Sequence, residues 1–346
     1  MNIPPSVNVN RGKGLHKRPH HPLCIIKEKI YQYFGPQYQS FDDLNPEVSV
    51  RANFDDLLIP ADHPCRKTTD TYYIDSSTVL RTQTSAHQTE LMRKGYEKFL
   101  VSGDVFRKDE VDRTHYPVFH QMEGVCIGET VEDLHRTMKG LMSHLFPNCE
   151  CRINDDYFPF TDPSFEIEVY YGDQWLEVAG CGMIQPKILE SVGWEGKGGW
   201  AFGLGLERLA MILFNIPDIR LFWSDDPKFT SQFRDAVITR FTPFSVLNSL
   251  QKDISFFIPD TDEKDQWEHI NDFYEICRSV SASNLEQIEC FDKFYHPKKK
   301  MMSHAYRLTY SAPDTLSDPG TFSKRINTVH ARVAQEVGQK LNVIIR

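Results

Sequence analysis

An arginine and a histidine within residues 103–124 have the types and spacing to bind a triphosphate beside a small polar substrate. Arg107 ends a strand-like run that begins at Lys98, and a charged turn containing His115 follows it. A second strand-like run, 118–123, then returns. Such a hairpin places a permanent cation and a second donor over a pocket floored by alternate side chains of the return strand. We therefore predict that this hairpin binds phosphates.

The same stretch resembles motif 2 of class II aminoacyl-tRNA synthetases, in the form that phenylalanyl-tRNA synthetases use. The Phe-Arg-x-Asp/Glu opening, the histidine in the turn and the Phe-His-Gln-x-Glu-Gly close follow the family's order, with Glu123 eight residues after His115. The resemblance implies amino-acid activation, in which a carboxylate attacks the α-phosphate of ATP. Fixed cations aimed at the phosphoryl oxygens supply the largest catalytic contribution to such a reaction.

The resemblance also implies a role for each side chain of the hairpin. Arg107 would bridge carboxylate and phosphate oxygens, for which a planar guanidinium is suited. His115 would reach the outer phosphates, Asp109 would belong to the ATP site, and Phe119 would offer a ring face to adenine. Ordinary alternatives stay open, since a hairpin arginine is usually solvated and a lone phenylalanine is more often a core residue.

A second motif, Gly203-Leu-Gly-Leu-Glu-Arg208, stands at a predicted strand-to-helix junction and resembles motif 3 of the same class. Glycines allow the backbone to approach a nucleotide closely. Arg208 would then point at the γ-phosphate or at adenine, whereas Glu207 is predicted to be structural. The sequence does not match two other nucleotide-binding motifs. The run from Gly193 lacks the Gly-Lys-Ser/Thr of a P-loop, and no third glycine of a Rossmann turn follows Gly205.

The amino-acid pocket is inferred from further resemblances. Tyr157–Phe160 resembles the phenylalanine-pocket element of the family, which implies that Phe158 and Phe160 pack on the substrate ring. Gln121 and Glu123 are two residues apart on one strand and therefore point to the same face. A carboxylate on that face can pair with the substrate ammonium, and the amide can assist.

The segment Leu80–Ala86 is similar to the family's Leu-Arg-Thr-His-Thr-Ser, with Gln83 in place of the usual histidine and with Ser85 retained. This departure affects the hydrogen bond to the substrate amine, although glutamine keeps both a donor and an acceptor. Ala201 and Gly203 would lie against the para edge of the ring. Tyrosine must be excluded there by shape, because an apolar pocket rejects an added hydroxyl by only about 10².

The implied cofactors are ATP and Mg²⁺. Glu177 ends a strand-like run before Gly180-Cys-Gly, where class II enzymes commonly hold Mg²⁺ between phosphates. The eight cysteines are scattered, whereas a zinc site usually shows paired ligands. Reduced thiols are therefore the simpler interpretation of the cysteines.

The order of the patterns predicts an α+β fold, an antiparallel sheet flanked by helices rather than alternating βαβ units. The resemblance implies that this is the class II synthetase sheet, followed by a C-terminal ferredoxin-like β-α-β-β-α-β domain. In the first part of the chain, helices are predicted at 22–34, 84–98 (capped by Ser85), 129–146 and 206–214. Strands are predicted there at 71–74, 98–106, 118–123, 165–170, 174–178 and 200–205. The C-terminal elements are predicted at 253–258, 266–279, 285–295, 301–310, 322–341 and 342–345.

A length of 346 residues suggests two domains. We expect an extended arm over 1–22, the class II catalytic domain over 23–217, a linker over 218–241 and a ferredoxin-fold anticodon-binding domain over 242–346. A net charge of −9 argues against a general nucleic-acid coat protein but permits local basic patches. Two patches are candidates for tRNA contact, or alternatively for solvated surface: Lys298, Lys299 and Lys300, and Lys324 with Arg325.

Basic residues precede the first acidic residue, Glu28, in an N-terminal segment that fits a remnant of a mitochondrial transit sequence or an arm that wraps the catalytic domain. No apolar run reaches the ~20 residues of a membrane span. The resemblance implies a monomer of the mitochondrial matrix that forms phenylalanyl-adenylate and esterifies the terminal 2′-hydroxyl of tRNA(Phe). Two alternatives stay open: a class II synthetase of altered amino-acid specificity, and a catalytically silent RNA-binding paralogue.

Overall fold

The computed structural model describes residues 2–243, 249–259, 261, 267–312 and 318–346. Its α-helices are α1 Pro5–Asn8, α2 Pro22–Phe34, α3 Val50–Asn53, α4 Gln88–Arg93, α5 Val131–Leu145, α6 Pro186–Ser191, α7 Leu206–Phe214, α8 Pro227–Thr230, α9 Ile270–Ser281 and α10 Pro319–Lys340. Short 3-10 helices lie at Leu15–Lys17, Asp55–Leu57, Pro64–Arg66, Thr84–His87, Ile219–Trp223, Ser231–Phe233 and Ala282–Asn284. Among these described residues, no helix is long and apolar enough to span a bilayer.

The strands form two main sheets and one two-stranded ribbon. They are β1 Gln39–Phe41, β2 Glu47–Ser49, β3 Thr78–Leu80, β4 Lys98–Phe106, β5 Val118–Ile127, β6 Cys151–Asp156, β7 Thr161–Tyr171, β8 Gln174–Ile184, β9 Gly199–Gly205, β10 Leu250–Ile258, β11 Leu285–His296, β12 Met301–Tyr310 and β13 Ile344–Ile345. The first sheet has the order β1-β4-β5-β9-β8-β7-β6, parallel only between β1 and β4. The predicted antiparallel α+β architecture is therefore confirmed.

The helices α2, α5 and α7 cover one face of the large sheet. The predicted site shares the other face with α4 and α6, which pack on residues such as Val101 and Ala201. Met122, Phe202 and Leu204 point from β5 and β9 into a core shared with α2, α5 and α7. Because strand side chains alternate, Glu123 and Gly203, which are their neighbours, face away from that core. The strong apolar pattern of β4 and β5 therefore fixes which residues face the cavity.

Local sequence determines the best-predicted boundaries. The helix predicted over 129–146 is α5, and its start is set by a capping box in which Thr130 and Asp133 exchange side-chain and backbone hydrogen bonds. The helices predicted over 22–34 and 206–214 coincide with α2 and α7.

Two local predictions are wrong. Residues 71–74 form only a single bridge, from Tyr73 to Val79, while the strand lies at β3. Tyr72 is instead buried, with its hydroxyl bonded to Glu275 of the C-terminal domain. Ser85 is not a helix cap, because its hydroxyl donates to a carboxylate on β5.

The N-terminal segment is not the extended arm that the sequence predicts. It contains α1 and the turn Leu15–Lys17, and Val7, Leu15 and His16 are buried against the rest of the chain. Pro5 is compatible with α1 because it occupies the first helical turn, where its missing N–H is not needed. The alternative of an arm that wraps the catalytic domain describes what is seen.

Residues 218–241 do not form a separate linker. Phe222, Phe229 and Phe233 are buried in the same core as Phe214 of α7, and the Phe241 amide donates to the Phe214 carbonyl at 2.7 Å. The polar composition of the segment concealed these widely spaced aromatic residues. The catalytic domain therefore continues to Phe241.

The C-terminal domain has the predicted β-α-β-β-α-β order, with the sheet order β11-β12-β10-β13 and all pairs antiparallel. Residue 266, where the sequence places the start of its first helix, lies outside the described residues. The helices α9 and α10 pack on one sheet face through residues such as Phe273 and Val333, against Phe256 and Tyr306. The opposite face carries no helix from the described part of the chain.

Candidate active site

A cavity of about 1060 Å³ opens on the sheet face that α2 and α5 do not cover. It is bounded by the β4–β5 hairpin and by β8 and β9. All but one of the residues predicted to bind ATP, metal or amino acid line it, namely Gln83, Ser85, Arg107, His115, Phe119, Gln121, Glu123, Phe158, Phe160, Glu177, Ala201, Gly203 and Arg208. The exception, Asp109, lies in the hairpin turn.

Strand register brings the two predicted motifs together. Glu123 of β5 pairs with Gly203 of β9, and Gly203 pairs in turn with Gly180 of β8. A Cβ atom added at Gly203 would meet nothing within 4 Å, so this glycine leaves open space in the cavity. The ladder therefore gives the cavity a floor of small residues between the glutamate and the neighbouring strand.

Glu123 is the most strongly perturbed acid in the cavity. Its side chain is 2% exposed, and burial raises its pKa to about 8, although the hydrogen bond from Ser85 opposes the rise. Ser85 Oγ donates to Oε2, while Oε1 is buried without a partner among the described residues. A buried carboxylate with one free oxygen is suited to a small cation, which would repay its desolvation.

The short turn Thr84–His87 places its residues against the same strand. The Thr84 amide donates to Gln121 Oε1 at 3.3 Å, and Gln83 precedes the turn with a half-buried side chain that lines the cavity. This hydrogen bond from the Thr84 amide orients the Gln121 side chain, so that its NH₂ group can donate to another acceptor. This turn therefore positions both Gln121 and Glu123 through hydrogen bonds.

Arg107 follows directly after β4 and lines the hairpin side of the cavity. Its Nε donates to the Thr82 carbonyl at 2.7 Å, and its guanidinium carbon lies 5.3 Å from the centroid of the Phe119 ring. Burial lowers the pKa of the guanidinium, while nearby Asp109 opposes the fall, and an arginine stays charged under such a shift. Its two terminal nitrogens have no partner among the described residues and can accept an anion.

His115 is tied to Asp112 within the hairpin turn. Its Nδ1 lies 2.8 Å from Asp112 Oδ2, and its backbone amide donates to Oδ1 at 2.7 Å. The hydrogen bond that His115 donates to Asp112 is the main reason why the pKa of His115 rises above its ordinary value. Asp112 therefore keeps His115 cationic to a higher pH than a free imidazole.

The motif 3 residues divide between two environments. Arg208, in the first turn of α7, is exposed and lines the cavity without a partner among the described residues. Glu207 is buried, and both of its carboxylate oxygens accept hydrogen bonds from His120. Glu207 therefore has the contacts of a structural residue, as the sequence predicts.

Two aromatic rings bound the other end of the cavity. Phe158 and Phe160 are nearly parallel, with centroids 5.9 Å apart and an interplanar angle of 13°. This gap excludes a third ring between them, because stacked rings need about 4.5 Å or more between centroids. A Cβ at Gly180 would lie 2.8 Å from the Phe158 ring, so that glycine permits the close packing. A substrate ring can therefore contact only their edges or outer faces.

Two positions in the structure offer carboxylate ligands for a metal ion. Glu177 lines the cavity, is exposed, and pairs across the strands with Glu168. A carboxylate oxygen that faces a phosphate site suits Mg²⁺. Among the described residues, Glu110, Asp112 and His115 also lie close together, within 4.8 Å. Asp112 is already engaged by His115 there, so the second group is a less suitable site.

Sequence reasoning missed the part that the C-terminal domain takes in holding the hairpin turn. Arg278 of α9 donates to the carbonyls of Asp109 and Glu110 at 2.8 and 3.1 Å. The Ile288 amide donates to the Val111 carbonyl at 2.7 Å, and the Val111 side chain lies in the C-terminal core. No local signal could have shown these contacts, since the partners are more than 150 residues apart.

The predicted tRNA-binding residues lie on different elements, away from the cavity. Lys298, Lys299 and Lys300 form the turn between β11 and β12, and Lys299 Nζ lies 4.2 Å from the centroid of the Phe257 ring. Lys324 and Arg325 lie on α10, in the helical layer of the domain. The two patches therefore belong to different layers.

Comparison with known proteins confirms the resemblance seen in the motifs. Residues 6–233 match the class II core domain (F) of tRNA synthetases, and residues 245–346 match the ferredoxin-fold anticodon binding domain. The phenylalanine–tRNA ligase, chloroplastic/mitochondrial, of Arabidopsis thaliana is 46% identical over 100% of this chain and 82% of its own length. The mitochondrial phenylalanine–tRNA ligases of Mus musculus and Saccharomyces cerevisiae are 40% and 32% identical, over 96% and 100% of this chain and 83% and 92% of theirs. The chain belongs to the family of phenylalanine–tRNA ligases that carry a class II core and a ferredoxin-fold anticodon-binding domain in one chain.

Proposed function

We propose that this chain is a mitochondrial phenylalanine–tRNA ligase, which activates phenylalanine with ATP and transfers it to the 2′-hydroxyl of the terminal adenosine of tRNA(Phe). One observation carries the proposal. The buried carboxylate of Glu123 has one oxygen without a partner among the described residues, and the guanidinium of Arg107 has two such nitrogens. Both line one cavity that also contains the rings of Phe158 and Phe160. An ammonium, an anion and an aromatic ring are the three parts that the reaction must hold.

The amino acid binds with its ammonium group on Glu123 Oε1. The ion pair replaces the solvation that burial removed from the carboxylate, which supports this placement. Gln121 accepts a hydrogen bond from the same ammonium through Oε1, which has a second lone pair beside the bond from the Thr84 amide. Gln83 takes the position where the family's histidine stands. The phenyl ring extends toward Phe158 and Phe160, with Ala201 and Gly203 against its para edge.

ATP binds on the hairpin side of the cavity. Arg107 contacts the α-phosphate and the substrate carboxylate, while His115 and Arg208 contact the outer phosphates. Phe119 stacks on adenine. Asp109 does not line the cavity, so it acts on the nucleotide through the charge of Arg107, to which it lies close. Mg²⁺ would be held by Glu177 and would neutralise phosphate charge.

In activation, a carboxylate oxygen of phenylalanine forms a bond to the α-phosphorus, and the bond to pyrophosphate breaks. Arg107 is suited to this step because its fork can hold the attacking carboxylate and the α-phosphate oxygens together. In transfer, the 2′-hydroxyl attacks the carbonyl carbon of the adenylate, and AMP leaves. The cations act electrostatically in both steps.

The C-terminal domain binds the anticodon region through the sheet face that carries no helix. Phe291 and Phe294 are exposed on β11, and the guanidinium carbon of Arg307 lies 5.1 Å from the centroid of Phe291. Exposed rings beside cations suit single-stranded bases, since stacking on an aromatic ring contributes about 1–3 kcal/mol per base. Lys298–Lys300 would contact phosphates beside this face, and Lys324 and Arg325 would form a second patch.

We further propose that the enzyme works as a monomer in the mitochondrial matrix, and that tRNA binding moves the C-terminal domain. Such a movement must break the bonds from Arg278 to the hairpin turn and the ion pair of Arg113 with Glu286. The residues up to Phe241 pack in the catalytic core and would stay with that domain in such a movement. Identical small-angle scattering profiles with and without tRNA would contradict the movement.

Aminoacylation of tRNA(Phe) transcript tests the function as a whole. We expect phenylalanine, and not tyrosine, leucine or histidine, to be esterified, with ester on the 2′-hydroxyl. A transcript that ends in 3′-deoxyadenosine should still accept phenylalanine, and one that ends in 2′-deoxyadenosine should not. Charging with another amino acid would point to altered specificity, for which Gln83 is the residue to examine.

A further inference from the structure

His120 lies between two residues of the cavity but points away from it. Phe119 and Gln121 line the cavity, and successive side chains of a strand point to opposite faces. The His120 side chain is fully buried on the other face. None of the steps proposed above uses this residue.

The backbone amide and the imidazole Nδ1 of His120 both contact one carboxylate. The backbone amide donates to Glu207 Oε2 at 2.8 Å, and Nδ1 lies 2.7 Å from Oε1. Because a carboxylate only accepts, Nδ1 carries the hydrogen of this bond. Hydrogen bonds to a charged group are stronger than neutral ones, and this pair is shielded from water.

The contact between His120 and Glu207 lies where the pairing of β5 with β9 ends. Backbone pairing of β5 with β9 stops at Gln121 and Gly205, after which the chain enters α7. The Glu207 side chain continues the connection one position further, to His120. It thereby ties the strand that carries Phe119 to the helical turn that carries Arg208.

Two rings from outside the sheet hold the imidazole in place. The His16 ring lies 5.1 Å from it, and the Trp223 ring lies 5.7 Å away at an interplanar angle of 30°. His16 is fixed in turn by a hydrogen bond between its Nε2 and the Asp42 carbonyl at 3.1 Å. Burial, and then His120, lower the pKa of His16 to about 3, so this ring is a neutral packing partner. These residues come from the segments that the sequence treats as an arm and a linker.

We propose that His120 is a positioning residue for ATP, which fixes the direction of Arg208 by holding Glu207, and that His16 and Trp223 keep its ring in place. The inference rests on the proposed function only in taking ATP as the nucleotide. If His120 has this role, its substitution should lower the affinity for ATP without a matching loss of affinity for phenylalanine.

The test compares two substitutions that separate the donor from the ring. His120→Phe keeps an aromatic ring but loses the donor, whereas His120→Asn keeps an amide donor near the position of Nδ1. We expect His120→Phe to raise the calorimetric Kd for ATP with Mg²⁺ about tenfold, as for one lost bond to a charged group. The KM for phenylalanine should change less than about twofold, and His120→Asn should restore most of the ATP affinity.

A double-mutant cycle tests whether the effect passes through Arg208. In an Arg208→Ala background, His120→Phe should add little to the loss of ATP affinity, since the side chain that it positions is absent. Additive losses, an unchanged Kd for ATP in His120→Phe, or equal losses for ATP and phenylalanine would each overturn the proposal. A merely structural role would lower the Tm of both His120 variants without the difference in ATP affinity.

The readout separates this proposal from the proposed function. ATP binding is measured without an amino acid, so a wild-type protein that binds ATP but activates no phenylalanine would contradict the function and leave the comparison valid. If His120→Phe does not fold, Glu207→Gln replaces it, because that change removes the charge from the same link. The expected result is again a selective loss of ATP affinity.

Discussion

Ser85 donates a hydrogen bond to Oε2 of Glu123, and Oε1 of the same buried carboxylate has no partner among the described residues. The bond from Ser85 fixes the carboxylate of this cavity-lining residue, and Oε1 keeps its capacity to accept a hydrogen bond. Burial raises the pKa of Glu123 to about 8. The residue is therefore poorly stabilised until a cation arrives, which is a property of a binding site rather than of a core ion pair.

Glu123→Gln should weaken phenylalanine binding and remove its dependence on this ionisation. Loss of a hydrogen bond to a charged group costs about 1.5–3 kcal/mol, so the KM for phenylalanine should rise about 10- to 100-fold. In the wild type, the KM should fall as the pH rises toward 8, because the carboxylate ionises. The variant should show no such fall, and a parallel fall in both proteins would contradict the assignment.

The same substitution should stabilise the ligand-free protein at high pH. The folded-state pKa of Glu123, about 8, lies above the ordinary value of about 4.5, so its stability contribution is present below the ordinary value and is lost as the pH rises through 8. A glutamine does not ionise. The Tm of Glu123→Gln relative to wild type should therefore increase between pH 5 and pH 8.5, and a constant difference would count against the raised pKa.

Asp112→Asn should lower the pH at which His115 loses its charge. Asp112 is the main cause of the raised pKa of His115, and asparagine keeps an oxygen for the turn amides. The fall in ATP affinity with rising pH should move to lower pH. Glu110→Gln is the matched control, since Glu110 contributes less to the same pKa than Asp112 does and should shift the profile little. Superimposed profiles for Asp112→Asn and wild type would rule out this role.

Ala201→Gly should admit para-substituted phenylalanines. Ala201 is buried and lines the cavity, so removal of its methyl group lengthens the pocket for the ring. The kcat/KM for para-chlorophenylalanine should rise about tenfold relative to phenylalanine. Gly203→Ala is the opposite change, because its Cβ would enter open space, and it should reduce activity with phenylalanine. An unchanged ratio of kcat/KM for the two amino acids in Ala201→Gly would contradict the placement of this residue in the ring pocket.

Replacement of Lys298, Lys299 and Lys300 by alanine should weaken tRNA binding and flatten its salt dependence. If each lysine contacts a phosphate, the slope of log K against log salt should fall in magnitude by about 2–3. The double variant of Lys324 and Arg325 is the comparison from the helical layer, and we expect a smaller change. Equal slopes for the triple variant and the wild type would indicate that these lysines are solvated and do not contact tRNA phosphates.

The sequence predicted the residues of the site better than it predicted what holds them. Gln121 and Glu123 come to one face because strand alternation is a local property, and α7 follows directly from its helical periodicity. The local sequence predicts a helix cap at Ser85, because its actual partner Glu123 is distant along the chain. Only the fold shows which role the Ser85 hydroxyl takes, that of a helix cap or that of a donor to Glu123.

Segments with dispersed apolar residues were the least predictable. The buried rings of Phe222, Phe229 and Phe233 lie in a polar sequence, and only their contact with Phe214 shows that they belong to the core. The contact of Arg278 with the hairpin turn is equally unpredictable from the sequence, because it joins two domains that are distant along the chain. Such long-range contacts leave no periodic signal in the sequence.

Phenylalanine-dependent exchange of pyrophosphate into ATP tests the central claim most directly, because it needs the ammonium site, the ring pocket and the phosphate site together. With Mg²⁺ and a folded sample, we predict exchange with phenylalanine that is lost in Arg107→Ala and absent with tyrosine, leucine or histidine. Exchange with a different amino acid would contradict the pocket assignment. No exchange with any amino acid would contradict the catalytic account and favour an RNA-binding paralogue.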